Sequence, residues 1–367
     1  MIENSVPSHL AGAVLTVDLD ALAANYRLMR DTAGGAEAAA VVKADAYGTG
    51  IAQAAPRLWA EGCRTFFVAH VGEGVRLRSL LADADIHILN GLLPGAEEAY
   101  IEHHLVPALG SLDEIARWKS ACGAAQRPCD IHVDTGMLRL GLPPDELDAI
   151  AGDASLLDGL DIRLVMSHFA SADEETSQNA DQLARFRRAR EILPMGRSSF
   201  ANSSGIFLGP EYRGDVVRPG VALYGCNPTP GRDNPMRPVV SLDARILQVR
   251  NAAPGETVSY GATYSVEKPM RIATVSAGYA DGYLRSLSGG GRAYIGGRPV
   301  PVIGRVTMDL TMLDVSDVAP ETCRPGDWAE LIGPHIAVDE VAALAGTIGY
   351  EILTSLGRRY HRRYLGG

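Results

Sequence analysis

Along the first two thirds of the chain, a short apolar run, a polar or glycine-bearing turn and an amphipathic stretch recur as one unit. The runs are AVLTVDL (13–19), AAAVVKA (38–44), CRTFFVA (63–69), ADIHILN (84–90), HLVPALG (104–110), CDIHVD (129–134) and DIRLVMSH (161–168). SSFANSS (198–204) and VALYG (221–225) continue the series. Helical spacing follows most of them. Asp18 or Asp20 can cap a helix with Leu22, Tyr26 and Met29 on one face, and Leu183, Phe186 and Ile192 recur at helix-compatible intervals within 179–192. A continuously apolar strand is buried on both faces, and its alternation with helices means parallel strands joined by crossovers. The runs are numerous enough to close a (β/α)8 TIM barrel, and no G-x-G-x-x-G follows the first strand to favour an open dinucleotide-binding sheet.

The pattern changes at 227–240, where NPTPGRDNPMRPVV carries four prolines and no periodicity. Beyond it SLDARILQVR (241–250), ETVSYGATY (256–264), MRIATVSAGYA (270–280), RAYIGGRPVPVIGRV (292–306) and DWAELIG (327–333) read as strands, and only VDEVAALAG (338–346) as a helix. The expected organisation is a barrel over 12–234 and a mainly β-strand domain made from 1–11 and 235–367.

Composition narrows the function. At 367 residues, 46% hydrophobic and 21% charged, the chain can bury a sizeable core. The 34 basic and 44 acidic residues leave a charge of −10, which argues against nucleic acid or an anionic membrane as the main partner. Five cysteines without a C-x-x-C pair do not form a disulfide framework. No run of about 18 apolar residues occurs, and the start lacks a basic segment followed by a long apolar one. A cytoplasmic protein without a signal peptide is expected.

Several residues could carry chemistry. Lys43, in VVKADAYG, follows a strand where a barrel presents its active site, and a partly desolvated amine there can act as a nucleophile. His132 and His168 lie near strand ends, but with Asp134 they are spaced too openly for a zinc signature, so no metal is expected. Arg139 and Arg218, beside glycine-bearing turns, supply permanent donors for a planar group or a carboxylate. Asn202, Ser203, Ser204 and Gly220 could donate to a phosphate at the top of a barrel. Tyr260, Tyr279 and Tyr283 stand next to glycines, and a tyrosine can serve as acid or base when a cation lowers its pKa.

The ordered blocks AVVKADAYGTG, HVDTGMLRLG, SHFASAD, FANSSG, VRPGVALYG, VSYGATY, SAGYADGY, GRVTMDL and YEILTSLGRRY make the chain resemble the alanine racemase family from about Thr16 to Tyr364. The resemblance implies pyridoxal 5'-phosphate as cofactor, alanine as substrate, D-alanine for cell-wall precursors as product, and a homodimer with shared active sites. It assigns Lys43 as the lysine that holds the cofactor and serves as one base. Tyr260 corresponds to the opposing base, contributed to the partner's site. Arg218 matches the arginine facing the pyridine nitrogen, and His168 the histidine between that arginine and the tyrosine. Tyr47, Ser203, Gly220, Val221 and Tyr350 align with phosphate-binding positions, and Asn202 belongs to the same cofactor-binding set. Arg139 and Met308 align with substrate-carboxylate contacts, and Tyr279 and Tyr350 with tyrosines that narrow the access channel. Two positions depart from the pattern. His132 stands where many members have a lysine, carbamylated in some, so a bound chloride or a nearby carboxylate is expected to serve Arg139. Thr49 stands where a histidine is frequent. A broader racemase acting on serine, arginine or lysine is the alternative. A decarboxylase is disfavoured because Thr307 precedes Met308, and Cys323 lies outside the decarboxylase pattern. A non-catalytic cofactor-binding protein would not need the second tyrosine base.

Overall fold

The structure, a computed structural model, describes residues 6–367. Residues 1–5, on which the absence of a signal peptide and part of the 1–11 assignment rest, lie outside the described residues. Seven parallel strands run in order Ala40–Val41, Thr65–Val68, Asp85–Ile88, Leu105–Leu109, Pro128–His132, Asp161–Met166 and Arg197–Ser199. Their burial is nearly continuous, as with Phe66, Phe67 and Val68, because helices cover one face and the barrel interior fills the other. Closure comes from Val216–Val217, which pairs in parallel with Glu37–Ala38. Beyond it Arg218 N–H donates to Ala201 O at 2.9 Å, and Val41 N–H donates to Pro219 O at 3.0 Å. Added to the seven, this stave makes eight, although Val216–Val217 was not among the runs read as strands.

Two strand expectations change. AVLTVDL does form a strand, Ala13–Asp18, but it pairs antiparallel with Val240–Ala252 and parallel with His361–Leu365 in the sheet of the second domain. It is buried on both faces in that sheet as it would be in a barrel, so its local pattern could not choose between them. VALYG is a 3-10 turn, Val221–Tyr224, and not a stave. It is apolar because it packs against the helix Leu19–Ala33, where Asn25 Nδ2 donates to Leu223 O at 3.2 Å. Four apolar residues have too little length to reveal a period.

Asp18 caps that helix, accepting from Ala21 N–H at 2.8 Å, and Leu22, Tyr26 and Met29 are buried. The second domain is built on an 8-stranded sheet around the long strand Val240–Ala252, with the expected helix at Val338–Ala345. ETVSYGATY contributes only Thr257–Val258 and Tyr264–Ser265, because Ser259, Gly261 and Ala262 take positive φ and turn the chain around Tyr260. The strands Thr311–Asp314 and His361–Leu365 and the helix Gly349–Ser355 were not anticipated. Among the described residues no helix is long and apolar enough to cross a membrane, and all five cysteines are free.

Candidate active site

Lys43 leaves the first stave at the C-terminal mouth of the barrel. The next four residues, Ala44 to Tyr47, all have φ between 52° and 55°, forming a left-handed turn. Such a conformation costs about 1–2 kcal/mol per L-residue, so neighbours must impose it. Glu73 Oε1 accepts from Ala44 N–H at 2.6 Å, and Asp45 Oδ1 accepts from Ile51 N–H at 3.0 Å while pairing with Arg76 at 2.9 Å. From the second domain, Arg362 Nη1 donates to Gly48 O at 2.7 Å and Tyr364 Oη to Thr49 O at 3.0 Å. Gly48, at φ 77°, lies so close to the other domain that a Cβ would sit 2.2 Å from Leu353 O. Sequence reasoning missed Glu73, Asp45 and Arg76, since KADAY reads as an ordinary helix start. The turn directs Lys43 into the mouth and Tyr47 into the core. Burial, then the fields of Arg139 and Arg218, lower the Lys43 pKa, which favours the neutral amine.

Arg218 lies at the centre of the barrel end and is 3% exposed. Its Nη1 donates to Ser199 Oγ at 2.6 Å, and its Nη2 to Ser167 O at 2.6 Å and Phe200 O at 3.4 Å. His168 Nδ1 lies 3.3 Å from Nη2. Nε has no partner among the described residues, so this donor remains for a bound acceptor. Burial pushes Arg218 down to about 10, still a cation at neutral pH. His168 is held well below its usual value by burial and by Arg218, so its ring is neutral and can accept from the guanidinium. His132, likewise buried and beside Arg218 and Arg139, falls to about 4.

The expected phosphate-binding residues converge. Ser203 Oγ accepts from Gly220 N–H at 2.9 Å and Ala222 N–H at 3.4 Å. A Cβ on Gly220 would lie 2.5 Å from Tyr47 Oη, which only glycine permits. Val221 opens the 3-10 turn after Gly220, and the Tyr47 ring stacks on Tyr224 at 4.7 Å and lies 6.2 Å from Tyr350. Asn202 bridges in parallel to Arg218, and its Oδ1 accepts from Gly205 N–H at 2.9 Å.

The residues expected from the second domain are instead exposed. Tyr260 is 73% and Met308 53% exposed, and Tyr260 has no side-chain partner among the described residues. Tyr279 N–H donates to Thr307 O and Ala280 N–H to Met308 O, each at 3.0 Å, so Tyr279 and Met308 share one rim. Arg139 is exposed without an ion pair among the described residues. Asp134, a carboxylate in the same segment, is engaged by the N–H groups of Gly136, Met137 and Leu138 at 2.9–3.2 Å. Tyr283 is buried and belongs to the core, and Cys323 is buried as well. Among the described residues no group of three or more His, Cys, Asp or Glu is placed to hold a metal. A cavity of about 320 Å³ lined by Arg78, His87, His104 and Arg197 contains none of the expected site residues.

Residues 17–228 match the model of the alanine racemase N-terminal domain, and residues 239–364 that of the alanine racemase C-terminal domain. A curated alanine racemase of Methylobacterium sp. (strain 4-46) is 53% identical over 96% of this chain and 98% of its own length. A catabolic alanine racemase of Mesorhizobium japonicum is 48% identical over 97% and 94%. The crystal structure of alanine racemase from Bartonella henselae with covalently bound pyridoxal phosphate superposes with a TM-score of 0.94 at 40% identity, covering 97% of this chain and 100% of that one.

Proposed function

We infer the reaction from what these likenesses establish: the chain belongs to the alanine racemase family. It is an isomerase that interconverts L- and D-alanine with pyridoxal phosphate as cofactor. The observation that carries the site is the meeting, at one barrel mouth, of a desolvated lysine and a buried arginine with an unspent donor. These residues suit the cofactor. Lys43 would hold it covalently, and Arg218 would face its ring nitrogen. Tyr47, Asn202, Ser203, Gly220, Val221 and Tyr350 would hold its phosphate end, where glycine at 220 lets the backbone approach.

When bound, the cofactor withdraws electrons from the amino acid's α-carbon, which makes the α-proton removable by a side chain. Inverting the centre requires one group to take the proton from one face and another to return one to the opposite face. Lys43 Nζ serves one face. Arg218, a cation at neutral pH, stays a donor and gives no proton to the ring, which limits competing reactions. His168, neutral, accepts from Arg218 and fixes its orientation. Tyr260 Oη serves the second face from a second copy of the chain, and Met308 and Arg139 orient the substrate carboxylate. The exposure of Tyr260 and Met308, together with Leu138 at 89% on the barrel rim, supports a homodimer whose sites are shared. Tyr279 and Tyr350 then narrow the access channel. Five free cysteines suit a reducing compartment, and the cytoplasm is the place assigned.

The test is to load the purified chain with pyridoxal phosphate, record its absorbance, and follow L-alanine with a chiral readout beside serine, arginine and lysine. A bound-cofactor band with D-alanine formation, both lost in K43A, is expected. A band with no change of chirality would overturn the reading. For the dimer, light scattering is compared with activity on dilution, and full activity in a monomer would overturn the shared site.

A further inference from the structure

Arg218 is a buried cation that touches no carboxylate. Its hydrogen bonds go to a serine hydroxyl, two backbone carbonyls and a neutral imidazole. Of the groups that share its surroundings, Arg139 is also positive, the Lys43 amine is shifted towards its neutral form, and His132 and His168 are neutral. A desolvated cation in cationic company needs a negative charge from somewhere.

One lies deeper in the barrel. Asp130, on the strand Pro128–His132, is completely buried, and its Oδ2 lies 2.6 Å from Nδ1 of His87, which is 4% exposed on the strand Asp85–Ile88. Its other oxygen, Oδ1, has no hydrogen-bond partner. The His87 ring stacks on Phe67 at 4.8 Å, and the Arg218 guanidinium carbon sits 5.9 Å from the Phe67 ring centre. A column thus descends from Arg218 through Phe67 and His87 to Asp130. The dry, polarisable rings between the two charges screen far less than water would. Asp130 is also the carboxylate whose field opposes the effect of burial on Arg218. A carboxylate with one bare oxygen is poorly explained as a local hydrogen-bond partner of His87, since buried pairs of this kind seldom stabilise a core by themselves.

We propose that Asp130, oriented by His87, is a positioning residue for Arg218, supplying the buried negative charge that keeps this guanidinium a cation beneath the cofactor. This rests on the reading of the mouth as a pyridoxal-phosphate site. Asp130 touches neither cofactor nor substrate. It acts only through the charge state of Arg218, and His87 holds it in place.

The test uses the full-length wild type, D130N, R218Q and D130N/R218Q. Asparagine keeps an acceptor for His87 and removes the charge. Each protein is titrated with pyridoxal phosphate and its bound-cofactor absorbance followed from pH 6 to 11, with thermal unfolding in parallel. Lys43, Arg139, His132 and His168 also face this guanidinium, and R218Q shows how much of the transition belongs to Arg218 itself. D130N should move the alkaline transition about one pH unit towards neutrality and weaken cofactor binding about twofold at pH 9 and about ninefold at pH 11. In the R218Q background the same change should lower the melting temperature less than it does beside Arg218, or raise it. If D130N does not fold, the double variant should, because no unpaired charge is left. An unchanged transition in D130N, or a loss of melting temperature from D130N as large in the R218Q background as beside Arg218, would show that Asp130 serves His87 alone and overturn the proposal. A wild type that takes up no pyridoxal phosphate would overturn the cofactor reading, and this proposal with it.

Discussion

On the barrel side of the site, Arg218 and Ser203 are buried, their side chains are held by hydrogen bonds within the chain with an Arg218 donor left over, and a strained turn is held from several directions. On the side of the β domain, Tyr260 and Met308 face outward with their functional atoms unengaged. The first half resembles a preorganised pocket, in which geometry is fixed before any ligand arrives. The second resembles half of an interface. In the proposed reading one fold separates two tasks: one chain would hold the cofactor, and a second chain would oppose the lysine with a second base.

The sharpest way to break this division is at Lys43. K43A should lose at least about 10⁴-fold in kcat, because it removes both the covalent anchor and a base, and the bound-cofactor absorbance should disappear with it. Y260F should cost about 10²–10⁴-fold in kcat while leaving cofactor affinity unchanged, since only a proton-transfer group is removed. Mixed in equal amounts and allowed to exchange, the two inactive variants should recover about a quarter of wild-type activity. Half the dimers are then mixed, and each mixed dimer has one intact site. No recovery would place Tyr260 and Lys43 in the same chain's site or remove Tyr260 from catalysis.

Within the barrel half, G220A forces a methyl against the Tyr47 hydroxyl. Cofactor affinity measured by fluorescence titration should fall about tenfold, the scale of a strained small-to-large change. A pH experiment reads the same half through stability. His132 is held neutral down to about 4, below its unfolded value of 6.5, so between these values the unfolded chain binds the extra proton. Stability from this group is complete above pH 6.5 and is lost as pH falls towards 4, by at most about 3 kcal/mol. H132N should flatten that part of the urea-unfolding pH profile. The smallest effect is expected in the β domain away from the rim: C323S should keep kcat within about twofold, because this thiol is buried and faces no substrate. A large loss there would revive the decarboxylase reading.

The alternation of apolar runs and helices was enough to identify the barrel staves from 38–44 through 161–168, because double-sided burial writes itself into composition. It failed where two environments demand the same residues. AVLTVDL is equally suited to a barrel or to a sheet covered on both faces, and VALYG to a stave or a buried turn. Among the site residues, Lys43, Arg218, Ser203 and Gly220 were legible from ordered motifs, and the structure brings them to one mouth. Glu73, Asp45 and Arg76 were not, since they act on a backbone conformation that no side-chain pattern announces.

By itself the sequence determined the element types, the β/α alternation and the chemical inventory, because these depend on local periodicity and residue identity. Only the tertiary structure decided which sheet the first strand joins, how four alanine-rich residues come to wind left-handed, and which charges are buried together. Those outcomes depend on contacts between segments remote in sequence: Arg362 on Gly48 and Phe67 between Arg218 and His87. Burial, which no single residue carries, turns an ordinary lysine, arginine and histidine into a poised amine, a guarded cation and a neutral acceptor.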